Sequence, residues 1–146
     1  MQEMTMDDLP DVLEIENVCH SHPWKESHFV SSINSSHQCK ILKDESHLVG
    51  YVITSTAADE AELLNITIAQ PYQNKGLGKH LLSYICRCFD ATIQTLFLEV
   101  RESNQVAIKL YHSLDFNEVG KRSNYYPSAK SSQQNREDAI IMAKVL

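Results

Sequence analysis

A chain of 146 residues is the size of one folded domain and can bury a substantial hydrophobic core. Its composition, 42% hydrophobic and 22% charged, is that of an ordinary globular protein, and no apolar run approaches the roughly 20 residues that span a bilayer. The net charge of −6 argues against a general nucleic-acid binder and is compatible with a basic partner. We therefore expect one domain over residues 1–146, with no membrane and no nucleic-acid partner.

The N-terminal segment is acidic and lacks the basic and apolar regions of a signal peptide, which predicts a cytoplasmic protein. The chain is also expected to act as a monomer.

Asp7 or Asp8 can cap a first helix that tolerates Pro10 in its first turn and ends near Cys19. Its apolar face is assigned to Leu9, Val12, Leu13, Ile15 and Val18. A second helix is predicted over 27–33, and strands are predicted over 39–43, 47–55 and 61–69.

The most informative stretch joins the last of these strands to a third helix. Apolar residues alternate along 64–68, and Pro71 ends the strand because it cannot donate to a sheet ladder. Helical spacing then runs from Gly78 to about Ala91. The turn at 73–78 has two glycines and no acidic residue, and the free N–H groups that open a helix attract anions. We interpret this turn as a cradle for phosphate oxygens, although it matches neither the Walker A motif nor the dinucleotide-binding fingerprint.

The C-terminal half predicts a strand over 95–100 and then a helix capped by Ser103 or Asn104. Further strands are predicted over 116–126 and 139–145, separated by a polar run at 128–136 that is expected to form a loop. The element order indicates an α/β (α+β) domain, with a mixed central sheet of six or seven strands flanked by about four helices.

The turn also carries a family resemblance, because residues 73–78 read Gln-Asn-Lys-Gly-Leu-Gly. This matches Gln/Arg-x-x-Gly-x-Gly/Ala, the pyrophosphate-binding motif of the GNAT (GCN5-related N-acetyltransferase) superfamily, which the chain resembles. The segments Leu98–Asn104, Ala107–Tyr111 and Leu114–Phe116 follow in the order of that superfamily. Within it, the chain is similar to the bacterial ribosomal-protein alanine N-acetyltransferases. The narrower likeness is carried by Pro23–Trp24, Asn124–Pro127 and Glu137–Met142.

The resemblance implies a role for each matching residue. Backbone groups that hold the acetyl carbonyl and the pantetheine arm of acetyl-CoA would come from Ile66, Thr67 and Ile68. The pyrophosphate would be wrapped by Asn74, Lys75, Gly76, Leu77, Gly78 and Lys79, and Asn104 would contact the pantetheine arm. Glu99 matches the general base and Tyr111 the general acid. A peptide groove would be formed by Pro23, Trp24, Tyr125 and Tyr126.

Considered without the family, these residues have ordinary structural interpretations that stay open. Tyr111 fits a core aromatic on an amphipathic helix, and Glu99 fits a salt-bridged strand glutamate, because an unpaired buried charge is costly. Pro23 and Trp24 fit a helix break beside a partly buried indole, and the two tyrosines fit packing across the sheet.

Metal binding is not expected, because Cys19, His20, His22 and His28 have no zinc-site spacing. One departure from the family is Asp115, which stands where Gly is common after a helix.

The substrate implied by the resemblance is the N-terminal alanine of small-subunit ribosomal protein number eighteen, a basic partner for an acidic enzyme. An α-amine with a pKa of about 8 is roughly one-tenth neutral at pH 7, whereas neutralising a lysine costs about 4.6 kcal/mol. Alternatives are acetylation of a lysine or small amine, and an acyl-CoA-binding regulatory module without turnover.

Overall fold

The computed structural model describes residues 1–127 and 136–146. Within them, the helices are α1 (Leu9–Cys19), α2 (Glu26–Ile33), α3 (Leu77–Cys88) and α4 (Gln105–His112). The strands are β1 (Gln2–Glu3), β2 (Gln38–Asp44), β3 (His47–Ala57), β4 (Glu60–Ile68), β5 (Thr95–Arg101), β6 (Asn117–Pro127) and β7 (Arg136–Val145). Short 3₁₀ turns occupy Met6–Asp8 and Gln70–Tyr72.

The strands form one seven-stranded sheet in the order β1-β2-β3-β4-β5-β7-β6. Neighbours are antiparallel except β4 and β5, which are parallel. The predicted mixed α/β sheet of six or seven strands with about four helices is therefore confirmed. The prediction missed β1, a two-residue strand in which Gln2 pairs with Ile41.

Helices cover both faces of the sheet, and each face has its own core. On one face, α3 and α4 pack against the middle strands through buried residues that include Leu81, Leu82, Ile85, Ile108, Leu96, Leu98 and Val100. On the other face, α1 and α2 pack through Leu9, Val12 and Phe29 onto Ile41, Tyr51 and Ile53. Both sides of β3 are thus removed from water over residues 48–54, as its near-continuous apolar sequence requires.

The parallel pair β4–β5 is joined for only part of its length. Glu60–Leu63 pairs with Thr95–Leu98, and the ladder between the two strands ends there. On the other side of β4, Ile53 lies opposite Asn65 and Thr54 opposite Leu63, so Leu64 is an extra residue in the ladder. Such a bulge bends its strand and increases the local twist. The bend lies where β4 parts from β5 and opens the sheet.

Two predictions are corrected, the end of the third helix and the apolar face of α1, and a third, the polar loop, falls largely outside the residues that the structure describes. The third helix ends at Cys88, before the predicted Ala91. Val18, assigned to the apolar face of α1, is 62% exposed, while Glu16 is only 1% exposed. The expected loop lies largely at 128–135, outside the described residues, and Arg136 already belongs to β7. Among the described residues, no helix is long and apolar enough to cross a membrane.

Helix α4 ends in a hydrogen-bonded cap built around Asp115. The Phe116 N–H donates to the Tyr111 carbonyl at 3.1 Å, and the Asp115 N–H donates to the His112 carbonyl at 3.1 Å. This is the bond pattern of the Schellman motif, and Asp115 has the left-handed φ of 66° that the motif needs. The cap turns Phe116 back onto the Tyr111 ring, with 5.7 Å between ring centroids. It therefore fixes the end of α4 that carries Tyr111.

Replacing Asp115 by glycine should stabilise the protein, because glycine adopts positive φ without the steric cost that a side chain brings. We expect Asp115→Gly to raise the free energy of unfolding by about 1 kcal/mol in urea titrations. Asp115→Ala is the matched control, and it should lower the free energy of unfolding. Equal stability of the two variants would contradict the strain assigned to this position.

Candidate active site

The parting of β4 and β5 creates a cleft of about 790 Å³, which we call the β4–β5 cleft. It is lined by the facing segments of both strands, the turn before α3, the start of α3, parts of α4 and the end of β6. Among the residues predicted from the sequence, the lining includes Trp24, Ile66, Thr67, Ile68, Asn74, Gly76, Leu77, Gly78, Lys79, Glu99, Asn104, Tyr111 and Tyr126. Residues distant in the sequence are thus brought to one cavity.

The turn before α3 has an unusual backbone conformation beside the cleft. Asn74 and Gly76 both have positive φ, 60° and 77°. A Cβ placed on Gly76 would meet no atom within 4 Å, so the space in front of this residue is open. The first hydrogen bond within α3 runs from the His80 N–H to the Gly76 carbonyl. The N–H groups before His80 in the first turn therefore have no acceptor within the helix. This arrangement suits an anion such as a pyrophosphate.

The end of β4 is held in place by two contacts. Gly50 of β3 lies opposite Ile68, and a Cβ on Gly50 would come within 2.6 Å of the Thr67 carbonyl oxygen. The close approach of the two strands therefore needs glycine. The Gln73 side-chain amide donates to the Ile68 carbonyl at 2.9 Å and so ties the turn to the strand.

Glu99 lies on β5 with its side chain 17% exposed and its carboxylate paired with Arg122. The Arg122 Nε lies 2.7 Å from Oε1 of Glu99. A hydrogen bond to the Glu99 carboxylate raises the pKa of the Tyr125 phenol. Glu99 is thus salt-bridged, as its structural interpretation anticipated, and it also lines the cleft, as its catalytic interpretation requires.

Tyr111 faces the cleft from the buried side of α4 and is 6% exposed. Burial raises the pKa of its phenol above the usual range for tyrosine, so the hydroxyl keeps its proton at neutral pH. A protonated phenol can act as an acid. The ring also packs in the core, so the two interpretations of Tyr111 hold together.

Asn104 caps α4. Its side-chain oxygen accepts the Ala107 N–H at 3.2 Å, which leaves the amide NH₂ as the group that can reach a ligand in the cleft.

The predicted peptide groove is only partly in the lining. Trp24 and Tyr126 line the cleft, and Arg101 lies over the Tyr126 ring with 4.4 Å from Cζ to the centroid. Pro23 and Tyr125 lie beside the cleft, outside its lining. Lys75 likewise lies outside it, with its ammonium 5.3 Å from the Tyr72 ring centroid. Within residues 1–127 and 136–146, no three His, Cys, Asp or Glu side chains converge as metal ligands.

Sequence reasoning missed several lining residues, namely Glu16, Cys19, His20, Asn65 and Arg101. One of them had a detectable signal. Glu16 follows Leu9 by seven residues and Val12 by four, so helical spacing puts a carboxylate on the apolar face of α1. A charge at such a position needs partners or a function.

Comparison with known proteins identifies the family. The acetyltransferase (GNAT) family model matches residues 9–116. The chain belongs to the GNAT acetyltransferase family. Members of this family use acetyl-CoA.

Individual relatives agree with this assignment. The ribosomal protein bS18-alanine N-acetyltransferase of Escherichia coli K12 is 42% identical over 137 residues, 93% of this chain and 90% of that protein. The enzyme of the same name from Haemophilus influenzae is 38% identical, covering 93% of this chain and 91% of its own. The crystal structure of the ribosomal-protein-S18-alanine N-acetyltransferase from E. coli superposes with a TM-score of 0.88 at 39% identity, covering 99% of this chain and 91% of that one. The predicted family is confirmed.

A negative charge at position 76 should weaken acetyl-CoA binding to this GNAT domain, because it would face the N–H groups that we assign to the pyrophosphate. Asp and Asn both tolerate positive φ and have nearly the same shape. We expect Gly76→Asp to weaken acetyl-CoA binding at least tenfold more than Gly76→Asn in calorimetric titrations, roughly the 1.4 kcal/mol of one charged contact. Similar affinities for the two variants would place the phosphates elsewhere.

Proposed function

We propose that this protein transfers the acetyl group of acetyl-CoA to the N-terminal alanine of ribosomal protein bS18. The supporting observation is the 42% identity, over 93% of the chain, to an E. coli enzyme of that name, combined with a cleft that contains both Glu99 and Tyr111. We also propose that the protein works in the cytoplasm, where ribosomal proteins are made, and as a monomer.

Acetyl-CoA is assigned to the β4–β5 cleft. The opened edge of β4 at Ile66–Ile68 offers backbone groups to the pantetheine amides and the acetyl carbonyl, in the manner of an added strand. The turn at 74–79 and the start of α3 supply N–H groups for the pyrophosphate. The free amide NH₂ of Asn104 extends this contact to the pantetheine arm. A backbone N–H of Ile66–Ile68 that points at the acetyl carbonyl would lower the barrier by stabilising the oxyanion that develops there.

The reaction follows from the two groups that the cleft brings together. The substrate ammonium loses a proton to Glu99, directly or through water, and the neutral nitrogen attacks the thioester carbonyl. The C–N bond forms, the C–S bond breaks, and Tyr111 gives its proton to the departing thiolate of CoA. The new amide nitrogen loses its second proton, which returns through water to the Tyr111 phenolate, and Glu99 releases its proton to solvent. Holding amine and thioester together supplies much of the rate.

Direct transfer is favoured over an acyl-enzyme route by the state of Cys19, a thiol in the cleft lining. Burial raises the pKa of this thiol, so it is held as the protonated form at neutral pH. The thiolate is the nucleophilic form of cysteine. Cys19 is therefore poorly suited to accept the acetyl group.

We infer that the acceptor is an α-amine, because an α-amine needs less help from the base Glu99 to lose its proton than a lysine does. Deprotonating an α-amine at pH 7 costs about 1.4 kcal/mol, against about 4.6 kcal/mol for a lysine. The acidic chain, with a net charge of −6, also favours the approach of a basic ribosomal protein.

Mass spectrometry of peptides incubated with acetyl-CoA tests the proposal. An alanine-starting bS18 peptide should gain one acetyl group on its α-amine, while the same peptide with a blocked N-terminus and a set of polyamines should stay unmodified. Acetylation of the blocked peptide on lysine, or of polyamines alone, would replace this function by the corresponding alternative. Binding of acetyl-CoA without acetylation of any amine would indicate a regulatory module.

In the same assay, Tyr111→Phe should lower kcat about 10²-fold, the usual contribution of a general acid, with little change in the Kd for acetyl-CoA. Tyr84→Phe, on α3 outside the cleft lining, is the matched control and should keep wild-type kcat. Unchanged turnover in Tyr111→Phe would remove this residue from the mechanism.

A further inference from the structure

Glu16 is a buried carboxylate that the proposed chemistry does not use. It is 1% exposed, lies on the inner face of α1, and lines the β4–β5 cleft. Removing a carboxylate from water is costly unless hydrogen bonds replace its hydration. The contacts that compensate this carboxylate therefore indicate what it holds together.

Those contacts join three parts of the chain that are far apart in the sequence. Oε1 accepts the backbone N–H of Trp24 at 2.8 Å, and Oε2 accepts the hydroxyl of Tyr51 on β3. The Asn65 side-chain amide of β4 lies 3.5 and 3.4 Å from the two oxygens. Glu16 thus fastens the segment after α1, which carries Trp24, to the two central strands.

The carboxylate also belongs to a small polar network on β4. His20 Nε2 lies 3.4 Å from Oε2 of Glu16 and 2.8 Å from the Thr67 hydroxyl oxygen. The Thr67 hydroxyl in turn donates to the Asn65 side-chain oxygen at 3.3 Å. The side chains of Asn65 and Thr67 are thereby fixed on the α1 side of β4.

Glu99 points to the same side of the sheet. Its neighbours Leu98 and Val100 belong to the core under α3 and α4, and alternate residues of a strand face opposite sides. Glu99 therefore faces the α1 side, and Trp24, Glu16 and Glu99 all line the same cleft. An amine that reaches Glu99 from this side enters the part of the cleft that Trp24 and Glu16 also line.

We propose that Glu16 is a positioning residue for the acceptor, because it fastens the Trp24 segment to β3 and β4 in the cleft that Glu99 also lines. This inference rests on the proposed function. In this proposal Glu16 neither accepts nor donates a proton during the acetyl transfer. The backbone of Ile66–Ile68 is paired with β3 and does not depend on Glu16. The loss of Glu16 therefore loosens the Trp24 segment more than it disturbs the backbone, turn and helix assigned to acetyl-CoA.

The test compares Glu16→Ala and Glu16→Gln with Glu14→Gln, an exposed control on the same helix. We expect Glu16→Ala to raise the KM for an alanine-starting bS18 peptide at least about tenfold, as for the loss of a buried charged hydrogen-bond partner, while the Kd for acetyl-CoA changes less than twofold. Glu16→Gln retains a side-chain oxygen for the Trp24 N–H but loses the charge, so the peptide KM should rise by an intermediate factor of about three. Glu14→Gln should behave as wild type.

A double-mutant cycle separates this role from general stability. If Glu16 acts through the Trp24 segment, Glu16→Gln should raise the peptide KM much less in a Trp24→Ala background than in the wild type. Parallel losses of peptide and acetyl-CoA affinity, or lowered stability with unchanged KM, would overturn the inference by making Glu16 purely structural. Glu16→Gln, with nearly the same shape, keeps the test valid if Glu16→Ala fails to fold.

The wild-type protein distinguishes failure of the proposed function from failure of the inference about Glu16. Wild-type protein that does not acetylate the peptide at all would contradict the proposed function, and this inference with it. Wild-type protein that acetylates the peptide while both Glu16 variants match its KM would contradict the inference alone.

Discussion

The pairing between β4 and β5 stops after Leu63 and Leu98, and the rest of the site depends on this interruption. Backbone N–H and C=O groups are obligatory hydrogen-bonding groups, and a strand that leaves its neighbour presents them to whatever fills the gap. The bulge at Leu64 bends β4 just where this happens. A ligand with amide groups of its own, such as the pantetheine arm of CoA, can complete the interrupted ladder. The cleft is therefore a gap in the sheet rather than a hollow on its surface.

The chain order places the remaining functional groups around this gap. Both β4 and β5 are followed directly by a helix, and parallel strands bring their carboxyl ends, and the helices that follow, to one edge of the sheet. The start of α3 and the Asn104 cap of α4 therefore border the same opening. The Schellman cap at Asp115 fixes the other end of α4, next to Tyr111. On the opposite face, the carboxylate of Glu16 fastens the Trp24 segment to β3 and β4.

Local patterns predicted the elements well, because alternation along β4 and the glycines of the turn are properties of neighbouring residues. The candidate site was found only in part. Helical spacing places Glu16 on the apolar face of α1, but the partners that explain a carboxylate there, Trp24 and Tyr51, come from other elements. The sequence prediction assigned Val18 to this face instead. Val18 lies nine residues after Leu9, half a turn around the helix, so geometry already places it on the exposed side. The extent of pairing between β4 and β5 depends on tertiary packing, which no local pattern contains.

Amide hydrogen exchange with and without acetyl-CoA tests most directly whether the interrupted ladder is the binding site. Saturating acetyl-CoA should slow exchange in peptides covering 64–69 and 76–80, since their N–H groups gain acceptors or are removed from water. Exchange in β2, on the far side of β3, should stay unchanged. Saturated binding without slowing in either peptide, or with protection confined to β2 and β3, would contradict the assignment of acetyl-CoA to the gap between β4 and β5.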